Sequence, residues 1–519
     1  MKKQFWLILL VAVVIVGALS VHAATVEDNT AIVYVDGSYT GTDSDGTLDK
    51  PYTSLNAAIA AINAAKDANN SITDGKIIVK DDITVVGTDN VTLTVCKVPL
   101  VVTSADPTDP CKLTLNTHTS KRILYCTSEI EFNNVIFLVS DVTYTEIWSG
   151  PSLTFGENVS THSGDTNQAP ARDFFCVRMN GADPSFTMLS GTLNVLQGGN
   201  NSGDVTGTST IVLGGTAKVT HILQCSGTGK SVATGNVTIE GDAHVANLYI
   251  NGHGTSKINN VDISITDATV GNISYHRTTD ASATCNKVRL TLDNATVSSL
   301  AAKDSRVTNA ELVLRNGDYS GLTTTGWTVA KSLYVNQSYT GGDSIGTYDK
   351  PYASIETAVS SLNSGESVEL VIVGTYKPDT VWAFPTLSDG KITVTGYDEN
   401  AQIRVESTGK PYWDFFSPVE FHDLTISYNH KGNSMEIFAG PELTFGGGMV
   451  FLCDDCTGTN GIITSSQDGH ICVRMGKRAA GSECDVSKFS ISSGTISYVQ
   501  GGSRYGEVGD SYITMAAQR

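Results

Sequence analysis

Two arginines stand in the same tetrapeptide, Cys-Val-Arg-Met, at 176–179 and again at 472–475. If Val177 and Met179 of a strand face a core, Arg178 stands outside, and Arg474 does the same beside Val473 and Met475. An outward guanidinium can abstract a proton in a lyase, grip an acidic sugar, or pair with a carboxylate on the next strand. Arg178 and Arg474 are therefore the candidate catalytic residues and also candidate glycan contacts. Tyr412 and Trp413 open an aromatic run, Tyr412-Trp413-Asp414-Phe415-Phe416, that could stack on sugar rings or pack half in a core. Asp43, Asp45 and Asp49 lie close together, and Asp343 and Asp349 recur with Ile345 in place of the middle acid. With Gly46 as the invariant glycine of an EF-hand loop, Gly41 and Tyr52 would fall at ligand positions 1 and 12, so that motif fails. Asp43, Asp49, Asp343 and Asp349 remain candidates for Ca²⁺ beside a plainer reading as turn formers, and no other cofactor is implied.

The chain has 10 cysteines. Cys96, Cys126, Cys176 and Cys225 sit in apolar, strand-like runs, where a thiol behaves as a small hydrophobe. Cys453-x2-Cys456 is followed by Cys472 and Cys484. A zinc ribbon needs a second C-x2-C pair, which that spacing does not supply. Disulfides and unpaired thiols both stay open.

The compartment is written at the start. Lys2-Lys3, the apolar stretch from Trp6 to Val21, and Val21-His22-Ala23 form a secretory signal peptide, residues 1–23. The apolar stretch is short for a bilayer span of about 20 residues. The mature chain is expected to be secreted, without membrane insertion, and attached to a cell surface, if at all, through regions outside this sequence. Its 519 residues carry 34 Lys and Arg against 53 Asp and Glu, a formal charge of −19, with only 17% charged residues. That balance argues against nucleic-acid partners, a coiled coil, or disorder driven by charge.

Two periods organise the remainder. VYVDGSYTGTDSDGTLDKPY at 33–52 returns as LYVNQSYTGGDSIGTYDKPY at 333–352. EIWSGPSLTFG returns as EIFAGPELTFG, and SGTLNVLQGG as SGTISYVQGG. These are two tandem modules, 25–328 and 330–519. The second is truncated relative to the first, which reads as part of a longer protein. Within the first module, Met188, Leu213, Ile239, Ile265, Leu292 and Leu314 recur about every 25 residues, each closely followed by a Gly, Asp or Asn turn. Short alternating strands at that period predict an all-β solenoid, a right-handed parallel β-helix. SLNAAIAAINAAKDA (54–68) and SIETAVSSLNSG (354–365) read as amphipathic helices, one capping the N-terminal end of each module.

The head motif, with Gly46, Asp49, Lys50, Pro51 and Tyr52 repeated at Gly346, Asp349, Lys350, Pro351 and Tyr352, resembles the entry segment of secreted β-helix proteins of the pectate-lyase-like superfamily, many of them bacterial surface proteins. The resemblance implies the fold and says little about activity, because that superfamily holds lyases, hydrolases and adhesins. A polygalacturonase-like hydrolase would show N-T-D, D-D, G-H-G and R-I-K in order. Here Gly252-His253-Gly254 has no N-T-D before it and only Lys257-Ile258-Asn259 after it. No complete catalytic constellation is legible.

The expectation is an adhesive or structural rod that contacts a polysaccharide or a host or cell-surface glycan. Two alternatives stand beside it: a lyase or glycoside hydrolase acting on acidic polysaccharide, and a non-binding spacer in a larger surface protein.

Overall fold

The computed structural model describes residues 24–86, 89–116, 120–140, 142–163, 175–277, 282–316, 319, 321–362, 367–387, 390–407, 409–429, 434–453, 471–478, 483–496, 498–502 and 507–515. Residues 1–23, expected to be a signal peptide, and Cys456 fall outside them. The described chain is all-β apart from helices Leu55–Ala68 and Ile355–Ser360, and its strands stack in parallel as a β-solenoid. It divides into two compact units. The first takes the chain up to Leu312 with Gly317–Trp327, the second Val313–Asn316 with Thr328 onward.

In the first unit, Thr25–Glu27 pairs antiparallel with Thr30–Asp36. Asp28 and Asn29 between them both have positive φ, 45° and 65°, the backbone a two-residue hairpin turn requires. From Thr30–Asp36 the chain crosses through helix Leu55–Ala68 to the parallel strand Asp74–Asp81. Ser54 caps the helix by accepting the Ala57 amide at 3.3 Å. Leu55, Ile59 and Ile62 are buried on one side, as their spacing predicts, together with three alanines. The helix of the second unit is shorter than its sequence suggests and ends at Ser360. The Ser360 and Ser361 hydroxyls turn back onto the Thr357 and Ala358 carbonyls at 2.9 and 2.7 Å, competing with helix propagation.

The early coils have three strands each, as in Leu100–Ser104, Lys112–Thr114 and Arg122–Tyr125. From Val205 to Arg315 the first strand of each coil lengthens to nine or ten residues, as in Val205–Leu213 and Lys257–Thr266. The periodic apolar residues form a single ladder: Met188, Leu213, Ile239, Ile265 and Leu292 are direct partners from rung to rung. All five are fully buried; Leu314 is only partly so. Two residues after each of the later rungs the chain turns with positive φ, at Gly215 (53°), Gly241 (64°), Asp267 (54°) and Asn294 (48°). Only Gly, Asn and Asp enter that region cheaply, so one column of turn residues ends one column of strands. Asn294 Nδ2 also donates to Asp267 Oδ1 at 2.7 Å, tying adjacent coils.

The second unit repeats the plan with a more aromatic core. Trp382, Phe384, Trp413, Phe415, Phe421 and Phe445 are buried together. Phe421, Phe445, Ile491 and Met515 occupy successive rungs of one ladder.

Candidate functional site

The two arginines lie at the ends of strands Phe175–Arg178 and Ile471–Arg474. In Phe175–Arg178, Phe175 and Val177 are buried with the core, so Cys176 and Arg178 point outward. Arg178 is in register with Trp148 on the coil before and Gln197 on the coil after, and Cys176 with Glu146 and Val195. Tyr125 extends the Arg178 ladder at one end, Gln224 and Tyr249 at the other. The outer face of this sheet thus presents a line of aromatic, cationic and amide side chains.

That face is packed rather than open. Glu146 is 1% exposed. Its Oε1 takes Arg178 Nη2 at 3.0 Å and Lys121 Nζ at 2.9 Å. Its Oε2 accepts Trp148 Nε1 at 2.8 Å. Arg178 Nη1 donates to Gln197 Oε1. Burial alone would raise the Glu146 pKa, but Arg178, Trp148 and Lys121 outweigh it and hold the carboxyl below its ordinary value. Burial likewise disfavours the charged Arg178, yet the neighbouring Cys176 and Glu146 side chains win, and its pKa is raised.

The second unit builds the same arrangement from its own copy. Arg474 is 9% exposed. It donates Nη2 and Nε to Glu436 Oε1 at 2.8 and 3.1 Å and Nη1 to Gln500 Oε1. Tyr498 adds its hydroxyl at 3.2 Å and its ring at 5.9 Å. Burial opposes the charged form, the hydrogen bonds to Glu436 prevail, and the Arg474 pKa is raised. Of the three roles open to an outward arginine, pairing with the acid of the adjacent coil is the one present in both units. A guanidinium gripped on both sides, with its pKa raised, is a poor proton acceptor.

Glu146, Glu436, Gln197 and Gln500 were not singled out by residue type. Their signal lay in the duplicated segments EIW/EIF and LQGG/VQGG, because the same register keeps a Glu, an Arg and a Gln on consecutive rungs in both units.

The remaining candidates separate. Trp413 is inward and fully buried, with Trp382 at 5.1 Å and Phe421 at 6.4 Å between ring centroids. It has no solvent-facing side on which a sugar could stack. Tyr412 is outward and half-buried, and the Arg478 guanidinium lies 3.7 Å from its ring centroid, so that face is occupied. Asp414 accepts the Arg478 amide at 3.2 Å, and burial raises its pKa.

In the two heads, Asp43 is bound by Lys50 at 2.7 Å and Tyr39 Oη at 2.9 Å, and Asp343 by Lys350 at 2.6 Å and Tyr339 Oη at 2.8 Å. Each aspartate thus serves a loop clasp, and the bound lysine lowers its pKa first, the tyrosine next. Asp45 caps Thr47 through its amide and hydroxyl at 3.0 and 2.6 Å. Asp49 and Asp349 are exposed in the bend. Gly46 must be glycine: its φ is 82°, and a Cβ there would meet the Tyr52 ring at 2.7 Å. Among the described residues no group of three or more His, Cys, Asp or Glu is placed to hold a metal ion. His253 makes an isolated parallel bridge to Thr228 just before a turn.

Cys453 is disulfide-bonded, and a cysteine in a disulfide cannot ligate zinc. Cys472 and Cys484 are buried thiols outside any disulfide, as are Cys96, Cys111, Cys126, Cys176, Cys225 and Cys285. Cys176 belongs to an apolar strip on the outer face with Val195 and Ile222.

No described helix is long and apolar enough to cross a membrane. The architecture defines the chain as a parallel β-solenoid protein. No family model, no curated protein and no solved structure matches it.

Proposed function

We propose that this chain is a secreted or surface-displayed right-handed β-helix protein, built from two tandem modules with a capping helix at each head, that acts as an adhesive and structural rod contacting glycans. The observation that carries this reading is the pair of clamped arginines. Arg178 and Arg474 are the residues whose chemistry would suit a lyase, and each is held between a Glu of one neighbouring coil and a Gln of the other. A rigid ladder of that kind holds a surface in shape and does not pick up a proton. The apolar signal segment and the acidic, weakly charged composition support export and a neutral partner.

The test is incubation of the purified chain with neutral and acidic polysaccharides, with and without Ca²⁺, measuring both retention on the polymer and release of soluble sugar. Retention without release is the expected result. Release of sugar would establish an enzyme instead, and neither retention nor release would leave a spacer.

A further inference from the structure

The second unit carries a surface groove of about 360 Å³, lined among others by Tyr397, Asp398, Glu399, Asp423, Thr425 and Val450. Tyr397 is 44% exposed and stands against Tyr348, also 44% exposed, with ring centroids 4.7 Å apart and planes 30° from parallel. Both rest on Tyr334, which is 2% exposed and meets them edge-on at 5.7 and 6.1 Å. Asn316 Nδ2 donates to the Tyr334 hydroxyl at 2.9 Å, fixing the supporting ring. Tyr348 and Tyr397 stack on one another and the buried third ring holds the pair, so Tyr397 is a braced aromatic platform at the rim of the groove, the setting in which an apolar ring and nearby hydrogen-bonding groups recognise a polar ring.

The first module has no such platform, since Leu48 occupies the place of Tyr348. The groove's lining includes three carboxylates and no basic side chain. Carboxylates accept hydrogen bonds from hydroxyl groups and repel a uronic acid. Asp423 turns there with φ of 45°, and its carboxylate lies close against Gly448, where a Cβ would collide with Oδ1.

We propose that this groove is a subsite for one neutral hexose unit of a glycan, the sugar's C–H face lying against Tyr397, which Tyr348 braces, and its hydroxyls directed to Asp398, Glu399 and Asp423. This rests on the glycan-contacting reading and gives it a place and a sugar class.

The experiment measures binding of the full chain to a neutral glucan, a galactomannan and polygalacturonate, for the unaltered protein, Tyr397→Ala and Tyr348→Leu. Tyr348→Leu installs the first module's own residue and is a conservative control for folding, with thermal melting recorded for each protein. The expected result is binding to a neutral polymer, weakened roughly tenfold by Tyr397→Ala and less by Tyr348→Leu, at unchanged melting temperature for Tyr348→Leu. Neutral-polymer binding that neither variant alters overturns the subsite and leaves the glycan-contacting reading standing. Binding to polygalacturonate alone overturns the subsite by its charge. Binding to none of the polymers overturns both.

Discussion

Arg178 Nη2 lies 3.0 Å from Glu146 Oε1 across adjacent coils, and Arg474 Nη2 lies 2.8 Å from Glu436 Oε1 in the second unit. Both acids sit in a packed environment, so removing one partner strands a buried charge. Arg178→Ala is expected to destabilise the protein by about 3 kcal/mol, the typical cost of breaking a buried pair. The double variant Arg178→Ala/Glu146→Gln should recover part of that loss. Urea unfolding monitored by circular dichroism measures both, and additivity of the two changes would show that the residues are not coupled.

The Glu146 carboxyl gives a pH dependence with a definite sign. Its folded pKa is lowered from the ordinary 4.5. Its contribution is complete above that unfolded value and is lost as pH falls through the lower folded one. Thermal midpoints should therefore fall as acid is added below about pH 4.5. Glu146→Gln should flatten that acid limb while lowering the midpoint at neutral pH. An unchanged acid limb in the variant would assign the pH dependence elsewhere.

Burial pushes the Cys126 and Cys285 thiols up to about 12. It raises Cys225 further. At pH 8 these three should not react with an aromatic disulfide reagent while the protein is folded, and should react at once in guanidinium. Rapid labelling of Cys126, Cys225 or Cys285 in the native protein, located by mass spectrometry, would contradict their burial.

Asn294 holds φ of 48° and bonds Asp267 on the preceding coil. Asn294→Gly keeps the backbone and loses only that side-chain bond, so a cost of about 1 kcal/mol is expected. Asn294→Val forces a β-branched residue into the left-handed region and should cost about 1–2 kcal/mol more. Equal midpoints for the two variants in a denaturant titration would show that the turn does not depend on this conformation.

Trp413 packs in the core of the second unit, so Trp413→Ala should act on stability, by about 3–5 kcal/mol. Any loss of glycan retention should then track unfolding, measured by retention and melting on the same sample. A variant that melts like the unaltered chain but no longer binds would return Trp413 to the surface.

Much of the fold was legible in the sequence because a solenoid repeats one local problem. A ladder residue such as Ile239 or Ile265 must be apolar at every coil, and the turn two residues later must accept positive φ, so Gly241, Asp267 and Asn294 announce the period. The candidate site was less legible. The alternation in Cys-Val-Arg-Met gave the direction of Arg178 and Arg474, but the identity of their partners depends on rung-to-rung register, which links residues about 20 to 40 positions apart. For Trp413 and Tyr412 residue type was no guide. Both are aromatic neighbours, and only the side of the strand that faces the coil interior decides which is buried.

The sequence by itself determined the parallel β-solenoid, its period, the duplication of the head and arginine segments, and the outward direction of the arginines, because these follow from alternation and turn chemistry within a coil. The tertiary structure alone decided that Glu146 and Gln197 clamp Arg178, that Lys50 and Tyr39 engage Asp43, that Trp413 is core, and that Tyr334 and Tyr348 pack against Tyr397 at the rim of one groove. These contacts join separate coils or separated stretches of the chain, and their partners are set by the stacking register and by the path of each connecting loop, quantities that no local pattern of residues encodes.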